Sequence, residues 1–440
     1  MNYHNFKIEK NINERISVFN CWFPALPFIG YWVISYAFNI FGPFYTPNID
    51  VFTHVYFLVC LIIFSVAYWL GLGRKILYMR AGACNDSKTA MQTLYYASRI
   101  SCLGTLIFVY DRISSGAGSF EVVQNDLSSI RDNMSVHVTI LTTLSVLPQS
   151  FKLVAFASYF YCLMRKLKIS LTTHLAMTLI VVAELLNMIL SANRGALFWL
   201  ISFAIFYLVM CARISLITMI FSRKKIIIKV VFISILLSAY TYFTWVAENR
   251  VVASTAIFLG TEAYSLLKEP NSYSFKDFSV LGGEYQLFYY ITHGFQYMDA
   301  ILKSAPIINF DLLSASGIRV ESQISRFFDG YMHPAKINIL NWINYYGLNL
   351  SGWPSIFGAS LAYFGVVGSL VFFGLLGYTS AYAVKKWIMY FNLGRLIIVM
   401  LIFSSLNISF DWIVRDFDQY MALLFGWYLI KRSHKSLIKY

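Results

Sequence analysis

The stretch LAMTLIVVAELLNMILSANRGALFWLISFAIFYLVM, residues 175–210, joins two apolar runs through a short polar turn that ends at Arg194. The runs, 172–190 and 195–213, are each close to the roughly 20 residues that an α-helix needs to cross a bilayer. A turn of about four residues between two such runs predicts a helical hairpin inside a membrane. The remaining question is why this turn carries an arginine.

The composition extends the prediction to the whole chain. Hydrophobic residues make up 58% and charged residues 13% of the 440 residues, and the mean hydropathy is +0.61. No soluble domain needs so much apolar surface, so we predict an all-α, polytopic membrane helix bundle of about ten transmembrane helices. The predicted spans are 19–41, 51–73, 90–110, 139–163, 172–190, 195–213, 226–246, 355–382, 395–410 and 418–431.

Charge alternates along the chain with these spans. The segments on the side of the N-terminus hold 22 basic and 3 acidic residues, whereas those on the other side hold 11 basic and 17 acidic residues. Lys and Arg concentrate in cytoplasmic loops, so both termini are predicted to be cytoplasmic. The net charge of +14 then reflects membrane orientation and not nucleic-acid binding.

Three regions follow from this layout. Residues 1–246 hold transmembrane helices 1–7, residues 247–354 form a large periplasmic loop, and residues 355–440 hold helices 8–10 and a cytoplasmic tail. Two aromatic-rich stretches of the loop, 283–306 and 321–347, are interrupted by charge and predict amphipathic helices lying in the membrane interface. They either cap the bundle or contact the substrate directly.

Three charged residues fall inside predicted spans: Arg99, Lys152 and Glu184. Charge is costly inside a membrane, so each of them needs a partner or a function. We predict that Glu184 pairs with Lys152 or with Arg99 in the bundle interior. A proton-coupled site is the alternative.

The periplasmic side carries arginines at two span ends, Arg194 and Arg415. One interpretation of Arg194 is a snorkelling side chain that fixes the hairpin, and the other is a ligand for phosphate or pyrophosphate, which guanidinium binds through two parallel hydrogen bonds. Arg415 lies among Asp411, Asp416 and Asp418, so a structural ion pair is the alternative there. Further arginines predicted on this side are Arg250, Arg319 and Arg326.

Residues for acid–base chemistry are present on the same side. A histidine near an interface can accept a proton at neutral pH, and a carboxylate can do so when suitably placed. The main base candidates are His293, His333, Glu284 and Asp416; Glu248, Asp411, His54 and His137 are further ones. The sequence contains no cluster of Cys and His residues at the spacing of metal ligands, so it predicts no metal site.

Three stretches resemble the O-antigen polymerases, the oligosaccharide repeat-unit polymerases of bacterial inner membranes. SANRGALFWL (191–200) resembles the family's Arg-Gly turn before a span. GWPSIFGASLAYFGVVGSLVFFGLLGY (352–378) resembles the end of its large periplasmic loop with the span that follows. IVRDFDQYMALLFGWYLI (413–430) resembles its arginine-containing entry to the last span. The layout of the whole chain is also similar.

The resemblance implies a GT-C-like glycosyltransferase of lipopolysaccharide biosynthesis in the cell inner membrane. Such an enzyme transfers a growing glycan from undecaprenyl pyrophosphate to a new lipid-linked repeat unit at the periplasmic face, with no metal and no cofactor. Arginines would bind the pyrophosphate, which assigns that role to Arg194, Arg415, Arg250, Arg319 and Arg326. Implied partners are the undecaprenyl-pyrophosphate-linked oligosaccharide, membrane lipid and a chain-length regulator protein.

Other functions stay open at this stage. An O-antigen ligase is also a membrane glycosyltransferase with a large periplasmic loop, although ten spans favour the polymerase. A flippase or transporter of lipid-linked oligosaccharide would show internal repeats, and only Arg99, Lys152 and Glu184 support it. A structural partner in an envelope complex is the non-catalytic alternative.

Overall fold

The structure is a computed structural model, and it is almost entirely helical in the part of the chain that it describes. That part comprises residues 21–41, 49–73, 87–114, 140–191, 194–207, 355–407 and 417–437, with positions 210, 241, 294, 295, 298, 299 and 301–303. No β-strand occurs among these residues.

The helices, in chain order, are α1 (Leu26–Phe41), α2 (Val51–Leu72), α3 (Ser87–Ser114), α4 (Ile140–Gln149), α5 (Lys152–Met164), α6 (Leu171–Ser191), α7 (Arg194–Phe206), α8 (Ile356–Tyr390), α9 (Leu393–Asn407) and α10 (Phe417–Leu437). Two of them, α2 and α8, are long and apolar enough to cross a membrane. Helices therefore lie in every predicted span that the structure describes. The span predicted at 226–246 lies outside these residues, apart from position 241.

The span predicted over residues 139–163 is helical but divided into two helices. α4 ends at Gln149 and α5 begins at Lys152, with a turn at residues 150 and 151 in which the Phe151 amide donates to the Pro148 carbonyl oxygen at 3.3 Å. The break lies against α3, where a Cβ atom added to Gly104 would come 2.6 Å from the Cβ atom of Pro148. A close approach of two backbones thus accompanies the break.

The prediction of one continuous span over residues 355–382 is wrong. Gly365 has φ 68° and ψ −175°, a conformation that is essentially restricted to glycine. The ring centroids of Phe357 and Phe373 stack at 4.8 Å, whereas a straight helix would separate these residues by about 24 Å. The chain therefore reverses at Gly365. We call residues 356–364 the α8 arm and residues 366–390 the α8 stem.

The α8 stem packs in parallel against α2. The Tyr56 hydroxyl donates to Ser369 Oγ at 2.8 Å, and a Cβ atom added to Gly377 would overlap the backbone carbonyl oxygen of Phe64. Both contacts join residues 313 positions apart, so the two helices keep one register along their length. Small residues at this interface allow the two backbones to approach closely.

The contacts also define two ends of the bundle. Arg165, which follows α5, donates to the Phe391 carbonyl oxygen between α8 and α9, and Asn392 donates to Ser433 of α10. We call this the basic end, because it gathers Arg165, Lys166, Lys168, Lys385, Lys386, Arg395, Lys431 and Arg432. The opposite end holds the start of α2 and the α6–α7 hairpin.

Candidate functional site

An ion pair joins α5 to α6. Lys152 Nζ donates to Glu184 Oε1 at 2.6 Å, and the two side chains are 24% and 12% exposed. The predicted pairing of Glu184 with Lys152 is thereby confirmed. Glu184 precedes the last residue of α6, Ser191, by about 10 Å along the helix axis, so the pair lies in the half of the bundle nearer the opposite end.

Arg99 has different partners, so the alternative pairing with Glu184 is not observed. Its guanidinium donates to the Tyr95 carbonyl oxygen and to Thr172 Oγ1, both at 3.0 Å. It also lies 3.4 Å from the centroid of the Tyr95 ring. Arg99 therefore connects α3 to the start of α6, away from the ion pair.

A second carboxylate, which the sequence analysis missed, lies at the level of the ion pair. Val109 of α3 packs against Ala183 of α6, and the two helices run in the same direction, so Asp111 is level with Glu184. Asp111 is 2% exposed. The neighbouring Arg112 lies 5.0 Å from the centroid of the Phe108 ring. Charged side chains are therefore concentrated in this part of α3, α5 and α6.

Arg194 is the first residue of α7, and α6 ends at Ser191. The helical hairpin predicted from the sequence is therefore confirmed. α6 runs antiparallel to α5, because Lys152 contacts Glu184 while Tyr159 contacts His174. This direction places the hairpin, and with it the backbone of Arg194, at the opposite end of the bundle from Arg165.

The other predicted site residues lie outside the described residues. They are Arg250, Arg319, Arg326, Arg415, His293, His333, Glu284 and Asp416, together with Glu248, Asp411 and His137. Their assignments remain predictions. His54, a minor candidate, lies in the first turn of α2, with its ring centroid 5.7 Å from that of Tyr36.

Part of the predicted periplasmic loop packs into the bundle. Positions 294, 295, 298, 299 and 301–303 are helical, and we call them the docked segment. The Phe295 ring lies 5.0 Å from Phe57 and 6.0 Å from Trp32 (centroid distances), and it is 1% exposed. These residues are helical and their apolar side chains pack against helices of the protein, while their position in the membrane interface stays a prediction.

A carboxylate anchors the docked segment at the opposite end. Asp299 Oδ1 accepts hydrogen bonds from the Asp50 amide at 3.0 Å and from Thr53 Oγ1 at 2.7 Å, while Oδ2 accepts from Lys303 Nζ at 2.6 Å. Asp50 also caps α2 by accepting from the Phe52 amide. Two carboxylates thus satisfy polar groups where the N-terminal end of a helix favours negative charge.

The α8 arm begins beside the docked segment, in the interior. Ser355 Oγ accepts from the Gly358 amide and caps the arm, and a Cβ atom added to Gly294 would lie 3.2 Å from Ser355 Cβ. From this point both segments run toward the opposite end, where the docked segment reaches Asp50 and the arm reaches Gly365. The docked segment and the α8 arm thus pack beside α1 and α2 at the opposite end.

The described residues contain no group of three His, Cys, Asp or Glu side chains that could hold a metal ion. No family model matches the chain, and comparisons with curated proteins and with solved structures found no match. The described residues form a helical protein with two candidate membrane-spanning helices.

Proposed function

We propose that the chain is a multi-pass protein of a bacterial inner membrane, with about ten spans, both termini in the cytoplasm and the basic end facing the cytoplasm. The candidate spans α2 and α8 and the cations gathered at one end support this orientation.

Single cysteines test the orientation in a background whose six native cysteines are replaced by serine. A cysteine at Ser114, the last residue of α3, should react with a membrane-impermeant maleimide in spheroplasts. A cysteine at Lys168, at the basic end, should react only after lysis. The reverse pattern would reject the proposed orientation.

We propose further that the protein is an O-antigen polymerase with a GT-C-like architecture. The observation that carries this proposal is the α6–α7 hairpin, which starts α7 with an arginine at the end away from the cytoplasmic cations. The docked segment, which lies between α7 and α8 in the chain, contacts α2 at the same end through Asp299. A guanidinium at that interface is suited to a lipid-linked diphosphate, because the lipid chain stays in the membrane while the diphosphate lies at the surface.

The reaction forms one glycosidic bond and breaks one bond to phosphate. The acceptor hydroxyl oxygen of the new repeat unit attacks the anomeric carbon of the growing glycan, and the bond from that carbon to the diphosphate oxygen breaks. The hydroxyl proton passes to a base, and undecaprenyl pyrophosphate leaves with the bonding electron pair. Guanidinium groups stabilise the charge that develops on the leaving group.

In this proposal Arg194 binds the departing diphosphate, with Arg415, Arg250, Arg319 and Arg326 as further candidates. The base is one of His333, His293, Glu284 and Asp416. The Lys152–Glu184 pair has a structural role, because it fixes α6, which leads into the hairpin, against α5.

The test uses a strain that lacks the endogenous gene and is complemented with variants. Arg194→Ala and Arg194→Lys should leave lipopolysaccharide capped with a single repeat unit, because lysine cannot supply two parallel hydrogen bonds. Arg165→Ala, which removes an exposed arginine at the basic end, is the matched control and should keep the full ladder. Normal chain lengths in Arg194→Ala at normal protein level would reject the assignment.

Purified protein provides a direct assay. Incubation with a lipid-linked repeat unit should give a ladder of lengthening products without added metal. No product from folded wild-type protein would reject polymerase activity.

A transporter of lipid-linked oligosaccharide is the second candidate function. It is favoured by the Lys152–Glu184 pair and by Asp111, which lies at the same height in the bundle, because buried charges line many transport pathways. The deletion strain separates the functions. Single-repeat lipopolysaccharide indicates a polymerase, uncapped lipopolysaccharide indicates a ligase, and lipid-linked repeat units accumulating on the cytoplasmic leaflet indicate a flippase.

A further inference from the structure

One face of the α8 stem exposes a continuous apolar stripe that no described helix covers. Its residues follow one another at spacings of three or four, which places them on one side of a helix. They are Val367, Val371, Leu375, Tyr378 and Tyr382, each about half exposed. From Val367 to Tyr382 the stripe is about 22 Å long, more than the roughly 15 Å that one leaflet contributes to the hydrocarbon core.

The stripe ends at two cations of the basic end. Lys386 Nζ lies 5.1 Å from the centroid of the Tyr382 ring and 5.5 Å from that of Tyr390. Arg395 Cζ lies 4.0 Å from the same Tyr390 ring, and its Nη1 donates to the Lys386 carbonyl oxygen at 3.0 Å. Both cations therefore contact the Tyr390 ring, and because Arg395 is only 8% exposed, Lys386 is the one of the two that can reach a ligand at the surface.

The neighbouring side chains add further positive charge. Arg165 Cζ lies 4.9 Å from the Phe391 ring centroid, and Lys431 Nζ lies 3.9 Å from that of Trp427. The sequence places 22 basic and only 3 acidic residues on this side of the predicted membrane. Like charges gathered in this way create a local positive potential that an anion relieves.

We propose that Lys386, with Tyr382 and Tyr390 beside it, binds the headgroup phosphate of an anionic phospholipid in the cytoplasmic leaflet, with an acyl chain lying along the stripe and the buried Arg395 adding positive charge from within the protein. The apolar stripe leading directly to the cations distinguishes this ligand from a soluble anion, which would use the cations alone. An acidic protein segment would likewise leave the stripe unused. The proposal rests on the membrane orientation but not on the polymerase reaction.

The test measures lipid retention by native mass spectrometry of the purified full-length chain. The probes are vesicle-derived nanodiscs of phosphatidylglycerol or of phosphatidylcholine. Lys386→Gln should weaken phosphatidylglycerol binding about fivefold, which corresponds to the roughly 1 kcal/mol that a lysine near an anionic surface contributes. Lys168→Gln, an exposed lysine at the same end, is the control and should bind as the wild type does.

Three outcomes would overturn the proposal: equal phosphatidylglycerol retention by Lys386→Gln and wild type, an equal loss in Lys168→Gln, or equally strong retention of phosphatidylcholine by the wild type. The first of these, accompanied by loss of a co-purifying protein, would assign the cations to an acidic partner instead. Should Lys386→Gln fail to fold, Tyr382→Leu keeps the stripe apolar while removing a ring beside the cation. It should also weaken phosphatidylglycerol binding, and unchanged binding would overturn the proposal. No readout depends on glycan synthesis, so failure here and failure of the proposed function are distinguishable.

Discussion

Replacing Lys152 with methionine tests whether the α5–α6 ion pair stabilises the bundle. The substitution keeps a side chain of similar length but leaves the Glu184 carboxylate without its ammonium partner at 2.6 Å. Ion pairs at the surface contribute about 0.2–1 kcal/mol, whereas removing one partner of a buried pair costs about 3–5 kcal/mol. With 24% and 12% of the two side chains exposed, we expect a loss of about 2–3 kcal/mol in the free energy of unfolding. Glu184→Gln should lose a similar amount.

The double variant Lys152→Met/Glu184→Met separates the pair from its environment. No uncompensated charge remains in it, so we expect its stability to lie within about 1 kcal/mol of the wild type, well short of the sum of the single losses. Under the proposed function this variant should still polymerise, because the pair does not touch substrate. A stable double variant without activity would favour the transporter.

Denaturation with sodium dodecyl sulfate in mixed micelles, followed by circular dichroism, gives the four free energies of the cycle. Lys168→Met is the control for removing a lysine from an exposed position and should change stability by less than about 0.5 kcal/mol. Single variants that match this control, or a double variant that loses the full sum, would refute the reasoning.

Three further predictions concern the packing of the opposite end and of α8. Gly377→Ala should destabilise the protein by about 1–3 kcal/mol, because the added methyl group would overlap a carbonyl oxygen of α2. Gly374→Ala is the control and should be tolerated, because its methyl group would lie 3.5 Å from a side-chain carbon. Equal melting temperatures for the two variants would contradict this prediction. Gly365→Ala should cost about 1–3 kcal/mol through backbone strain, measured by the same denaturation, and unchanged stability would argue against the chain reversal. Asp299→Ala should raise the rate of amide hydrogen exchange in the docked segment, because it removes the acceptor of two hydrogen bonds from the start of α2. The exchange rate in the α8 stem should stay unchanged. An unchanged exchange rate in the docked segment would show that apolar contacts alone hold it in place.

The sequence predicts helices well where a polar turn separates two apolar runs. The turn of the α6–α7 hairpin agrees with the prediction to within one residue on each side. The sequence does not predict the break between α4 and α5 or the reversal at Gly365, because both lie within predominantly apolar stretches. Pro148 is a known signal, but proline is tolerated inside membrane helices when other groups satisfy the backbone. Gly365 is one of several glycines in a uniformly apolar run, so nothing local marks the reversal there.

Some contacts of the candidate site are likewise predictable from the sequence, and others are not. A partner for Glu184 was predictable because buried charge requires one, whereas the choice between Lys152 and Arg99 depended on helix register. Asp111 was missed because the predicted span stopped one residue before it, at 110. The contact of Asp299 with α2 is tertiary, joining residues 249 positions apart, and no local pattern reveals it.

The pairing of α2 with the α8 stem has a consequence for biogenesis. About 280 residues separate the end of α2 from the start of α8. At a synthesis rate of about 5–20 residues per second, α2 waits roughly 15–60 s before its principal neighbour leaves the ribosome. During that interval α1, whose Phe28 ring lies 4.7 Å from that of Phe64, and later the docked segment cover part of its surface. A chain truncated before α8 would therefore leave the face of α2 that carries Tyr56 and Phe64 without its partner helix.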